Sequence, residues 1–176
     1  TSYSFSTAGM GAIIVHSIPY LNDKGYSAGV ATALLTGLSV VLVVVKPIWG
    51  LLGERIQVRY LMALSFTISG LGMILMVFVN GGPLIVVFPI FYGIGAAGFL
   101  PLMNLMWANY FGRAFLGTIK GVFNPITHIV SAFSPVFAGY IFDVTGSYDP
   151  AYISFSLCFA LGAIAIFLAR RPTYLD

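Results

Sequence analysis

Six apolar stretches, each near or above the roughly 20 residues that carry a helix across a hydrocarbon core of about 30 Å, constrain this chain more than any other feature. They run over residues 2–21, 28–52, 60–80, 83–110, 115–141 and 150–170. Short polar or Gly/Pro joints separate them: NDKGYS, ERIQVR, NGG, YFGRAF and DVTGSYDP. Such joints suit a compact helical bundle, and composition agrees. Hydrophobic residues make up 59% of the chain, charged residues only 7%, and mean hydropathy is +0.98. That is too little charge to coat a soluble globule, whose chains are about a quarter charged. The expectation is an all-α membrane protein, one half-domain over residues 1–176.

Alternate joints lie on opposite sides of a bilayer, so charge sets the orientation. One side collects Arg55, Arg59, Arg113, Arg170 and Arg171, together with Glu54; the other carries Asp23, Lys24, Asp143 and Asp149. The positive-inside rule places the arginine side, and with it both chain ends, in the cytoplasm of a multi-pass cell-membrane protein. The start at Thr1, without an initiator Met, is expected for a segment of a longer chain, with processing of the terminus as the alternative.

Ionisable and polar groups inside apolar spans are expensive in lipid and mark functional positions. Lys46 and Lys120 each stand about two turns inside a span. Lys120, Asn124, Thr127, His128, Ser131 and Ser134 recur at spacings of three and four, which puts them on one face of the fifth span. Thr32, Thr36, Ser39, Lys46 and Gly50 make a thinner stripe on the second. The alternative is snorkelling, in which each lysine reaches the interface along its own stem. His16 and His128 serve either as donors to backbone carbonyls or as contacts to solute and proton. Asn104 and Trp107 in GFLPLMNLMWANYFGR add a hydrogen-bonding and an aromatic candidate. Gly93, Gly95, Gly98, Gly117 and Gly121 predict close helix approach, and Pro101, Pro125 and Pro135 predict bends.

Several function classes lose support. A GxxxxGK[ST] phosphate loop is absent, as is a GxSxG elbow, and the spans hold no Asp or Glu to orient a triad. The chemistry is therefore not enzymatic. Two histidines and Cys158 make no convincing metal cluster, no cofactor is implied, and the scattered bases do not form a nucleic-acid surface.

Gly50, Glu54, Arg55 and Arg59 in GLLGERIQVR match the joint between the second and third helices of a half of a major facilitator superfamily transporter. Gln57 occupies that motif's glycine place and Val58 replaces a frequent base. The chain thus resembles the carboxy-terminal six-helix half of that family, two inverted three-helix repeats. HSIPYLNDKGYS, GAAGFLPLMNLMWANYFGR and GTIKGVFNP are similar to segments of the monocarboxylate porters and oxalate/formate antiporter-like relatives. The resemblance implies a basic residue in the second helix that meets a substrate carboxylate, and Lys46 in KPIWG matches its position. It also implies a missing amino-terminal half across the solute path and lipid around the bundle. The expected function is alternating-access transport of a small organic anion, a monocarboxylate among the candidates. Lys46, His16, Asn104, Trp107, Asn124 and His128 would bind it, and Gly50, Glu54, Arg55, Arg59, Arg113 and Lys120 would gate or support the path. The alternatives are a carrier of neutral or cationic solutes and a noncatalytic half that needs a partner chain.

Overall fold

The computed structural model describes residues 2–78, 82–112 and 116–169, and every regular element among them is helical. The elements are α1 (Ser2–Asp23), α2 (Ala28–Arg55), α3 (Val58–Phe78), α4 (Val87–Ala97), α5 (Phe99–Phe111), α6 (Leu116–Thr145) and α7 (Asp149–Leu168). A single 3₁₀ turn, Pro83–Val86, precedes α4. The end-to-end pair α4 and α5 makes one span, so the described residues form six. Five are long and apolar enough to cross a membrane. The sixth, α1, has 22 residues but carries serines, His16 and Asn22 among its apolar ones.

Local chemistry sets the ends. Ser27 caps α2 by accepting from the Val30 N–H at 3.4 Å. Gly112 and Gly146 close α5 and α6 with φ of 81° and 70°, a left-handed backbone that a side chain would resist. Asp149 and Pro150 open α7, where a negative charge and a missing N–H both suit the first turn. Several expected boundaries move outward. Glu54 and Arg55 belong to the last turn of α2, with Arg55 at the negative pole of the helix, and the joint shrinks to Ile56 and Gln57. Asp143 lies on α6, which runs to Thr145.

The fourth span breaks at Gly98 because Pro101 has no N–H to give the Ala97 carbonyl. The Gly98 N–H turns to Gly95 O at 3.0 Å, and neighbouring helices repair the gap. Trp49 Nε1 on α2 donates to Ile94 O at 2.7 Å, and Ser65 Oγ on α3 donates to Gly95 O at 2.6 Å. Pro125 and Pro135, by contrast, leave α6 a single continuous helix.

The two halves of the chain pack alike. α1 lies along α6 as α4 lies along α2, and α3 and α7 pack on each other. Exchanging the first three spans for the last three preserves that pattern. Because three is odd, the second triplet enters the membrane with the opposite polarity, which makes the repeat inverted. The core sits where α3, α5 and α7 bring Phe66, Phe99 and Phe159 together at 5.3–5.9 Å. α2 and α6 bury the smallest share of their apolar length and leave broad faces uncovered.

Glycine contributes where backbones meet. A Cβ on Gly95 would stand 2.6 Å from Ser69 N, one on Gly72 2.6 Å from Tyr92 N, and those on Gly93 and Gly98 would crowd Val41 and Ser65. Gly117 and Gly121 differ from expectation: each faces open space on α6 and brings no helix close. Gly72→Ala should therefore cost about 1–3 kcal/mol by overpacking. Gly121→Ala should stay neutral or gain up to about 1 kcal/mol from helix propensity. Thermal unfolding of both variants in detergent measures the contrast.

Candidate functional site

The second helix carries its polar stripe outward. Thr32, Thr36 and Ser39 are exposed, and each hydroxyl donates to the carbonyl four residues back, at 2.8, 3.0 and 3.0 Å. Their hydrogens are thus consumed inside the helix, and their oxygens keep lone pairs for a donor outside it. One turn pattern further, Lys46 is exposed and has no hydrogen-bond or ion-pair partner among the described residues. Nine residues separate it from Arg55, about 13 Å of helix at 1.5 Å per residue. An ammonium at that depth is costly against hydrocarbon unless its stem carries it to the interface, and it is stable against water or an anion. Gly50, on the same stripe, is half-buried and faces open space; the close approach is at Gly53, where a Cβ would collide with Leu105.

The stripe of the fifth span divides. Thr127 and Ser134 are buried, Lys120 and Ser131 are half-buried, and Asn124 and His128 are exposed. Ser134 Oγ donates to Ser131 O at 2.7 Å, replacing the N–H that Pro135 lacks. Thr127 Oγ1 donates to Asn124 O at 2.8 Å. The α2 and α6 stripes do not pack on each other: α2 leans on α4 and α6 on α1. Between them, Trp107 on α5 is buried with its ring 6.3 Å from that of Phe123 on α6, and Asn104 is half-buried one turn earlier.

His16 is half-buried, with both ring nitrogens engaged. Nε2 lies 2.9 Å from Pro135 O and Nδ1 lies 3.2 Å from the Tyr148 hydroxyl. A carbonyl only accepts, so Nε2 carries the proton, and in the neutral ring Nδ1 accepts from Tyr148. Burial raises the Tyr148 hydroxyl above its ordinary range, and the charges of Asp23 and Asp143 add to this, so it stays a donor.

The polar residues around His16 form a seam that sequence reasoning passed over. His16 and Tyr20 on α1 and Lys24 just past its end recur every four residues and meet Tyr148, Asp149 and Tyr152 around the start of α7. Lys24 Nζ pairs with Asp149 at 3.1 Å and donates to Val77 O at 2.8 Å, near the negative end of α3. Tyr20 Oη donates to the same carboxylate, and its ring stacks on Tyr152 at 4.5 Å. Ser17 Oγ and Tyr152 Oη share a hydrogen bond of 3.3 Å. The four-residue spacing in HSIPYLNDK and in YDPAY was the available signal. Lys24–Asp149 is the ion pair found among the described residues.

At the opposite end, Glu54 and Arg55 are exposed, and no salt bridge joins them to Arg59. Arg59 instead donates to Tyr60 Oη at 2.6 Å and Ala169 O at 3.4 Å, with its guanidinium 4.5 Å over the Tyr60 ring. It thereby ties the start of α3 to the end of α7. A cleft of about 270 Å³ opens beside it, lined by Gln57, Val58, Met106, Asn109 and Tyr110. Arg113 lies outside the described residues. Groups of three or more His, Cys, Asp or Glu that could hold a metal are absent among the described residues.

The sequence model of the Major Facilitator Superfamily matches residues 1–175. Monocarboxylate transporter 2 of Rattus norvegicus is 24% identical over 170 residues, which cover 94% of this chain and 35% of the relative. Monocarboxylate transporter 12 of Mus musculus is 26% identical over 183 residues, 98% of this chain and 37% of the relative. The human protein of the same name is 26% identical over 186 residues, 99% and 36%. The chain thus spans about a third of the length of these relatives.

Asp149 is 36% exposed and Lys24 13%, so the pair is partly screened. Asp149→Asn should cost about 1–2 kcal/mol, below the 3–5 kcal/mol of a fully buried pair broken on one side. A double-mutant cycle with Lys24→Met, read by thermal unfolding, measures the coupling.

Proposed function

Because the chain belongs to the major facilitator superfamily, we propose that it forms one six-helix half of a secondary transporter that moves a small organic anion by alternating access. Monocarboxylates are the first substrate class to test, since the relatives above carry that word in their names. The observation that carries the reading is Lys46, an exposed ammonium without a partner among the described residues, deep on the polar side of α2. A carboxylate leaving water loses its hydration, and a fixed positive charge in a shielded cavity offsets that loss. An ammonium offers a point charge and not a planar fork, so selection among acids falls to the surrounding shape. Asn124, His128, Asn104 and Trp107 supply hydrogen bonds and an aromatic wall. Lys120 supplies a second positive charge near the mouth.

A second six-helix half would cover α2 and α6 and enclose the solute between the two. The uncovered faces of both helices and the one-third coverage of the relatives support that partner. The arginine-rich ends would face the cytoplasm of a cell-membrane protein. Glu54 and Arg55, exposed and unpaired within the described residues, are free to form and break contacts with that half as the path opens. Solute then favours the transition through its unequal affinity for the two states. A packing role for Lys46 would need a partner in the bundle, and none is found among the described residues.

In proteoliposomes holding the complete transporter, Lys46→Ala should lower uptake of radiolabelled monocarboxylates at least about tenfold, the loss of one charge-assisted contact. Lys46→Arg should keep measurable uptake with altered preference among acids. Full activity of Lys46→Ala across the concentration range, or equal uptake of the neutral amide counterparts by the unmodified protein, would overturn the anion assignment.

A further inference from the structure

Around Pro135 the structure holds an arrangement that solute binding alone does not require. Pro135 takes a donor from Ser131 O, and the hydroxyl of Ser134 fills the place. Directly over this break sits Gly11 of α1, where a Cβ would stand 2.5 Å from Ser131 O and 2.6 Å from Ser134 Oγ. Little more than one turn later, His16 donates to the carbonyl of Pro135 itself and holds Tyr148 through its other nitrogen. Side chain and backbone of α1 thus grip α6 on both sides of the position where its hydrogen-bond ladder is interrupted. Beyond that break, residues 116–134 carry Lys120, Asn124 and His128 on a helix that, with α2, buries the smallest share of its apolar length against the rest of the bundle. A lever with a weakened ladder at one end takes its setting from whatever fixes that end.

We propose that His16 is a positioning residue for transport: its two hydrogen bonds lock α1 into the Pro135 break and thereby set the placement of the α6 face that carries Asn124 and His128. The proposal rests on the reading that this face lines the solute path. Its charged and titratable surroundings are Tyr148 at the joint, Asp23 and Asp143 beside it, and the Lys24–Asp149 pair with Tyr20 further along the seam. His16 makes its contacts to α6 and the joint and not to the open face, so its effect reaches the solute through α6.

The test uses the complete chain, depleted of cysteine, with Asn124→Cys as a reporter and a membrane-impermeant maleimide as the probe. Labelling is measured without solute, so it decides the clasp even if the transporter proves to carry no organic anion. His16→Phe keeps ring volume and loses both bonds; it should change the labelling rate by about threefold or more. In the same background without the reporter it should raise KM for a radiolabelled monocarboxylate about fivefold or more at similar maximal rate, as expected when contacts are misplaced and not removed. His16→Gln retains an amide donor for Pro135 O and should restore labelling most of the way. Tyr148→Phe removes one bond and should shift labelling in the same direction by less. Labelling by His16→Phe at the unmodified rate would overturn the proposal. If that variant does not fold, an unmodified labelling rate for Tyr148→Phe, with unmodified KM, overturns it instead.

Discussion

Backbone groups inside a hydrocarbon layer find no water, so every N–H and C=O must be paired within the protein, and the rest of this structure follows from that requirement. It selects helices throughout. It also decides how irregularity is tolerated: around Gly98 and Pro135, a side chain from a neighbour or from the same turn supplies a donor. Trp49 serves Ile94 O, Ser65 serves Gly95 O and Ser134 serves Ser131 O, while His16 adds a contact to Pro135 O. These repairs tie α2 and α3 to the fourth span and α1 to the fifth. Breaks in the ladder thereby become the joints that hold neighbouring helices in register.

The same logic sorts the polar groups into two populations. Those of the seam, Tyr20, Lys24, Asp149, Ser17 and Tyr152, satisfy one another and fasten α1, α3 and α7 at one end of the bundle. Arg59 fastens α3 to α7 at the other. Those of α2 and the outer edge of α6 are left turned away from the core, with Lys46 the extreme case. A body fastened at both ends, with a polar layer on its two least buried helices, is what a half that moves as a unit against another half requires.

Much of the fold was legible because a span's length and hydrophobicity are local properties. The described helices overlie the apolar runs, with shifted ends and with the fourth split at Gly98, and the inverted repeat emerges from their packing. Boundaries at Arg55 and Thr145 were missed because charged residues at helix ends read as joints in a sequence, whereas the helices run on through them, with Arg55 favoured at the negative pole of α2. The close approaches at Gly53 and Gly72 were hidden for another reason: spacing along one helix does not tell which neighbour it meets. Gly117 and Gly121 show the converse, small residues with no neighbour to admit. For the site, periodicity grouped the α2 stripe on one exposed face but could not tell that half the α6 stripe turns into the bundle. The seam of His16, Tyr20 and Lys24 joins residues more than a hundred positions apart, and only the fold brings them together.

The central claim is that the uncovered polar side of α2, with Lys46 on it, faces an aqueous solute path and not lipid. The direct measurement is site-specific accessibility in the complete transporter, with Cys at position 46 compared with Cys at positions 44 and 48 on the apolar side of the same helix. A membrane-impermeant thiol reagent should label position 46 readily, label 44 and 48 slowly, and be slowed at 46 when transported solute is added. Equal, slow labelling at all three positions, unaffected by any solute, would put Lys46 against lipid or packed protein and contradict the account.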